Sequence, residues 1–444
     1  MAPVEPFRVK MVEPLPNITR DERVNKMLET GYNPFKVPDR LVTFDLWTDS
    51  GATAMSSQQW AAMMESEEGS FIPDSYFQFC ETVESLTGFP HILPVHQGRA
   101  AEHALFSVLV KPGFKLFSNT FYATTKGNAQ LVEMTTTQLP CTWVDGAPFN
   151  GNIDCEKLEE ELAGLESDHA MVVLTLTSNN QAGQPVSMAN MKRTSEICHE
   201  KGIVMFMDGC RFAENAYFIK MRDRTYANCS ARDIAREMFS YFDGLYLSAK
   251  KDGLCNTGGL LAVRNEDLFL ELRVRLNQTE GKWRLGGLAS RDHRAIATGL
   301  LEGIEDRYLK YRIETLAQFG DLLKKAGAAV VEPVGSAVYV NAAKCLPHIP
   351  TYQYPAWALN CALFVEGGIR GTHLPDVLYV EDSSDRDHRK HFVKLCIPRR
   401  AYTLSHLIYV ADIFKQIIAK MERVSGMRIV NGDHYYKVEM APVV

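Results

Sequence analysis

No run of this sequence is apolar for long enough to cross a bilayer, and its opening "MAPVEPFRVKMVEP" has no hydrophobic signal core. Positive charge is not in excess. The 48 Lys and Arg stand against 54 Asp and Glu, a net −6 that removes the electrostatic basis for holding nucleic acid or an anionic membrane. The ten cysteines have no paired spacing, which fits reduced thiols better than a disulfide framework. Internal repeats and low-complexity segments are absent as well. These absences predict a cytoplasmic globular protein with no nucleic-acid or membrane partner.

What is present is a large apolar inventory. Of 444 residues 46% are hydrophobic and 23% charged, the profile of a soluble globular protein, in a chain long enough to split its core. Short apolar runs alternate with helical patterns over 90–265: "KLFSN" (Lys115–Asn119), "TWVDG" (Thr142–Gly146), "AMVVLTLTSN" (Ala170–Asn179), "IVMFMD" (Ile203–Asp208), "GLYLSAK" (Gly244–Lys250) and "GGLLAVRN" (Gly258–Asn265). Strands buried on both faces read this way, so the pattern predicts an α/β domain with a mainly parallel sheet. "SMANMKRTSEICHEKG" (Ser187–Gly202) has helical spacing and a terminal glycine. After Gly303 the texture changes to a long helix, Glu305–Gly327, short strands and a last helix within Ser405–Val424. The expected organisation is a large domain over 46–304 and a smaller α+β domain over 305–444, joined by an N-terminal arm, 1–45.

In parallel sheets, ligands gather at the carboxyl ends of strands. Asp208, Asn179, Ser248, Lys250 and Lys251 fall at such ends, and Gln97-Gly98-Arg99 precedes a helix. A glycine at a helix N-terminus beside an arginine suits a phosphate. A strand-end lysine, a strand-end aspartate and a phosphate cradle are the parts of a pyridoxal phosphate site. Each part also has a plainer reading: an ordinary turn for "QGR", a helix cap for Asp208, a solvated loop for "SAKK".

Together these stretches resemble the β-eliminating lyases that include tryptophanase and tyrosine phenol-lyase. The resemblance rests on "EPFRVKMVEP" (Glu5–Pro14), "GYNPF" (Gly31–Phe35), "LWTDSGATAM" (Leu46–Met55), "HQGRAAE" (His96–Glu102), "GQPVSMANM" (Gly183–Met191), "RFAENAYFIK" (Arg211–Lys220), "SAKKDG" (Ser248–Gly253) and "IPRRAYT" (Ile397–Thr403), in the family's order. It implies fold type I of the pyridoxal 5'-phosphate enzymes and a tetramer of tight dimers. Lys251 then carries the Schiff base and Lys250 tunes it, since a neighbouring cation lowers an amine's pKa. Asp208 pairs with the pyridine nitrogen, and Arg211 with the phenolate oxygen. Asn179 binds near that oxygen or the substrate carboxylate. Gln97, Gly98, Arg99 and Ser248 cradle the phosphate, and Tyr122 stacks on the ring. Arg399 clamps the substrate carboxylate, with Ser50 near it or the Schiff base. A potassium ion is implied at Glu68, Asn256 and the Gly51 carbonyl; the plainer reading makes Glu68 and Asn256 surface polar residues.

The resemblance weakens where the leaving group is handled. The family's general-acid tyrosine falls at Ser70 in "ESEEGSFIPDSYF", and serine is a poor acid unless activated. Ala123 stands where tryptophanases have aspartate, and Leu374, beside His373, where tyrosine phenol-lyase has arginine. "EGKWRLGG" brings Lys282, Trp283 and Arg284, which either face the pocket and favour a polar substrate or lie in a solvated loop. His434, Tyr435 or Tyr436 occupies the place of a C-terminal active-site histidine. His388 and His391 read as an exposed helical face. The expected activity is β-elimination from an L-amino acid, through quinonoid and aminoacrylate intermediates, to pyruvate, ammonia and the leaving group. C–S cleavage, β-replacement and transamination are the alternatives; a cofactor-binding scaffold without activity has no need of Arg399.

Overall fold

The computed structural model describes residues 3–69, 71–374, 391–432 and 437–443. The chain divides into two compact units, Ser50–Ile313 and Met1–Asp49 with Glu314–Val444. Among the described residues no helix is long and apolar enough to cross a membrane, and all ten cysteines are free thiols.

The first strand, β1 (Phe44–Asp45), belongs to the smaller unit, and the larger unit holds the next seven. These are β2 (His91–Val95), β3 (Lys115–Ser118), β4 (Thr135–Gln138), β5 (Ala170–Thr175), β6 (Val204–Asp208), β7 (Gly244–Ser248) and β8 (Gly259–Val263). They form one sheet in the order β2-β8-β7-β6-β5-β3-β4. β8 runs antiparallel to both neighbours and the other pairs are parallel, so six strands share one direction. β5, β7 and β8 are buried at every position, as strands covered on both faces must be. One core packs Leu93, Leu116, Val173, Phe206 and Leu261 against Leu105 and Phe106 of the helix Gly98–Leu109.

The two strands that apolar runs do not announce are the sheet's edges. β4 reads "TTTQ" with exposed ends, and β2 contains Pro94, which an edge strand tolerates. "TWVDG" is a loop, a correction to its reading as a strand: the Val144 N–H donates to Asn150 Oδ1 and the Val144 carbonyl accepts from Asn150 Nδ2, so a side chain satisfies this backbone. The run at Ala170–Asn179 stops being a strand at Thr175, and Asn179 opens a 3-10 turn instead of ending β5. The helix at Met188–Glu200 is capped by Ser187, whose side chain accepts from Asn190 N–H.

The smaller unit contains β9 (Val338–Asn341), β10 (Ile369–Arg370), β11 (Thr372–Leu374), β12 (Phe392–Leu395), β13 (Met427–Asn431) and β14 (Glu439–Pro442). They pair as β1-β10, β11-β12-β9 and β13-β14. Its helix Arg20–Glu29 has a Thr19 capping box and is pinned to the helix Pro355–Gly367 by Arg20, which holds Glu366, and by Arg23, which donates to the carbonyls of Val365 and Glu366. His391 is buried before β12, a correction to its reading on an exposed helical face; His388 lies outside the described residues.

Candidate active site

Strand register lines up the ends that matter. Thr175 stands opposite Asp208, Asp208 opposite Tyr246, Ser248 opposite Gly259, and Gly259 opposite Val95. Gln97, Gly98 and Arg99, Asp208, Arg211, and Ser248, Lys250 and Lys251 therefore line one cavity. Two glycines make this possible. A Cβ on Gly98 would stand 3.0 Å from the Ser248 nitrogen, and one on Gly259 2.5 Å from the Leu247 carbonyl oxygen. The helix start at Gly98 is thus pressed against the end of β7, with no side chain capping it. Ser248 Oγ is buried there without a hydrogen-bond partner. An orphaned buried hydroxyl beside helix-terminal N–H groups is a site prepared for an anion.

Charge in the cavity is dense. Lys250 Nζ donates to Gln97 Oε1 at 3.3 Å. Its pKa is lowered by burial, then by Lys251 and Arg99, so loss of its proton is eased. Asp208 is buried and accepts from the Cys210 N–H at 3.2 Å. Glu102, which the sequence reading passed over, also lines the cavity and is almost fully buried. Burial first, and then Asp208, raise its pKa to about 7. Burial also pushes the Cys210 thiol up to about 12, which keeps it protonated.

A β-eliminating lyase family model matches residues 45–413. The chain is 41% identical over 436 residues to the tryptophanase of Hyphomonas neptunium, covering 96% of each. It is also 41% identical to the tyrosine phenol-lyase of Clostridium tetani, covering 92% of this chain and 91% of that one. The chain belongs to the β-eliminating lyase family. Among solved structures, the lyase resembles the serine palmitoyltransferase of Sphingomonas wittichii (TM-score 0.64, 12% identity, 91% of this chain and 97% of that one). A further likeness is Bna3p, a putative kynurenine aminotransferase of Saccharomyces cerevisiae (TM-score 0.66, 11% identity, 90% and 95%). The fold is fold type I of the pyridoxal phosphate enzymes.

Family membership implies pyridoxal 5'-phosphate, and the residues of the lyase fit it. The orphaned Ser248 hydroxyl and the Gly98 cradle suit its phosphate, Lys251 its aldehyde and Asp208 its ring nitrogen. Tyr122, Asn179 and Ser50 line the same cavity. Arg399 belongs to the smaller unit, where its Nη1 donates to Asp49 Oδ2 at 2.8 Å, both side chains buried.

The expected ion ligands are engaged within the protein. Asn256 Nδ2 donates to the carbonyls of Gly51 (3.0 Å) and Thr53 (2.9 Å), while the exposed Glu68 pairs with Arg291 at 2.6 Å. Lys282, Trp283 and Arg284 do not line the cavity among the described residues. Lys282 lies over the Phe71 ring at 3.4 Å, and Arg284 over Trp283 at 4.2 Å and Tyr76 at 5.9 Å. Of the two readings left open for this segment, the cavity lining gives the pocket-facing one no support. In the smaller unit, His373 packs 4.1 Å from Trp357 and 4.8 Å from Phe35, and burial lowers its pKa to about 3. The ring beside Leu374 is thus kept neutral within the smaller unit. Ser70 and His434 lie outside the described residues.

Proposed function

We propose that this lyase acts on an L-amino acid, releasing the β-substituent with pyruvate and ammonia in the manner of tryptophanase. The observation that supports it best is Lys251 in one cavity with Asp208 and the anion-ready Ser248. Bound pyridoxal phosphate supplies an electron sink for the carbanion at the substrate α-carbon. Lys251 would hold the cofactor through its aldehyde, and its Nζ would serve as the base that takes the substrate α-proton. Lys250, whose proton is loosened by burial and by its neighbours, assists Lys251. Asp208 would keep the ring nitrogen protonated, Arg211 and Asn179 would hold the phenolate oxygen, Tyr122 would stack on the ring, and Ser50 would take the substrate carboxylate, a role the resemblance also gives Arg399. Potassium at Gly51, Glu68 and Asn256 requires Glu68 to leave Arg291.

A second reading, C–S elimination or β-replacement, is favoured by Ala123 and Leu374, which stand where the resemblance places the polar residues that recognise an arene. A thiolate departs without protonation at carbon. Purified protein incubated with tryptophan, tyrosine and S-substituted cysteines decides between them. Pyruvate and ammonia from tryptophan, with indole, supports the first reading. Turnover of the cysteine derivatives alone selects the second. Pyridoxamine phosphate without pyruvate marks a transaminase and overturns both. A homotetramer accounts for exposed Met64, Phe71 and Ile72 (85%, 71% and 62% exposed), which a subunit interface would cover. Light scattering at the mass of one chain overturns that assembly, and equal activity in sodium and potassium overturns the ion.

A further inference from the structure

Glu102 lies in the helix Gly98–Leu109, one turn beyond the phosphate cradle, with Ala101, Ala104 and Leu105 buried around it. Its carboxylate reaches across to the helix Ala123–Leu131, whose N-cap is Tyr122. Thr125 Oγ1 donates to Oε1 at 2.7 Å, and Asn128 Nδ2 donates to Oε2 at 3.0 Å. The same Asn128 amide donates to the Arg99 carbonyl at 3.1 Å. Both carboxylate oxygens are therefore spent on fastening the helix of the stacking tyrosine to the helix of the cradle.

A second acid stands close by. Asp208 lines the same cavity and acts on Glu102 through its charge, and Tyr246, opposite Asp208 in register, is buried and holds its own proton. Arg99 is the cation on Glu102's own helix that lines the cavity. Burial and the charge of Asp208 disfavour ionisation of Glu102, while the hydrogen bonds from Thr125 and Asn128 favour it.

We propose that Glu102 is a positioning residue of the cofactor site, which sets Tyr122 against the phosphate cradle and whose charge is felt by the bound cofactor. The inference rests on the reading that this cavity holds pyridoxal phosphate. It deepens that reading by assigning a buried carboxyl that neither binds phosphate nor touches substrate. The raised pKa of Glu102 agrees with it: the carboxyl is neutral below about pH 7, and gains charge as the pH rises through that value.

The test needs no substrate. Glu102→Gln and Glu102→Leu are compared with the wild-type holoenzyme in pyridoxal phosphate affinity, by equilibrium dialysis, and in the long-wavelength cofactor absorption from pH 5.5 to about 9. Leucine removes both acceptors, and affinity is expected to fall about tenfold or more. Glutamine keeps an acceptor for Thr125 and is expected to hold affinity within about threefold. It is also expected to erase the step in the absorption titration that the wild type shows at or below about pH 7. A Gln variant that reproduces the wild-type titration overturns the influence of the Glu102 charge on the cofactor. A Leu variant that melts like the wild type without cofactor, yet binds cofactor equally well, overturns the positioning. Should the Leu variant fail to fold, the Gln titration decides alone. A wild-type chain that never acquires the absorption overturns the cofactor reading and this inference with it.

Discussion

The larger unit holds two clusters of cations that are satisfied in opposite ways. At the strand ends, Arg99, Arg211, Lys250 and Lys251 line a cavity beside an orphaned hydroxyl. In the segment after Glu280, Lys282 and Arg284 lie flat on aromatic rings, and Arg273 shares Trp283 with Arg284 at 4.2 Å. Composition alone makes the two alike. The difference is what the cations face: aromatic rings in the second cluster, and in the first a cavity shared with carboxylates and an orphaned hydroxyl. The smaller unit adds a third arrangement, Arg399 against the carboxylate of Asp49.

The sharpest way to break this comparison is Lys251→Ala. Lyase activity is expected to drop by at least about a thousandfold, and the cofactor absorption in the absence of substrate to vanish; a variant that keeps that absorption moves the Schiff base to another amine. Next in size is Arg399→Ala, which takes the guanidinium from a buried carboxylate and is expected to cost about 3–5 kcal/mol in urea unfolding. Adding Asp49→Asn to it should recover part of that loss, and no recovery would deny the pair its role.

A smaller effect belongs to His293, stacked 5.4 Å from Phe79 beside the aromatic cluster. Burial lowers its pKa to about 4, so the folded chain keeps the ring neutral where the unfolded chain takes a proton. Stability should therefore fall as the pH drops from about 6.5 toward 4, by at most about 3 kcal/mol, and His293→Gln should flatten that part of the curve of unfolding midpoint against pH. The smallest change is Arg284→Ala, expected to cost no more than about 1 kcal/mol and to leave turnover within about twofold. A large loss of turnover would return this segment to the active site.

Much of this was legible because the chemistry sits at the ends of buried strands. Continuous apolar runs exposed β5, β6 and β7, and with them Asp208, Ser248 and Lys251. The edge strands β2 and β4 were hidden by the same rule, since a threonine run or a proline carries no both-face burial signal. Glu102 was quoted within "HQGRAAE" and given no role. An acid among alanines on a helix face is its only mark in one dimension, and the partners that give it meaning, Thr125 and Asn128, lie on the next helix. Lys282 and Arg284 were undecidable for the converse reason, because Phe71 and Tyr76 stand some two hundred positions earlier in the chain.

The close approach of Gly98 to Ser248 also constrains when the molecule becomes competent. Within the sheet β2 pairs only with β8, so Gln97 and Gly98 find their place only after the chain has been made and folded through Val263. Contacts of such long sequence separation form late and slowly. The two halves of the proposed phosphate cradle are thus joined by the last-made strand of the sheet, and capture of a cofactor there would report that the sheet has closed.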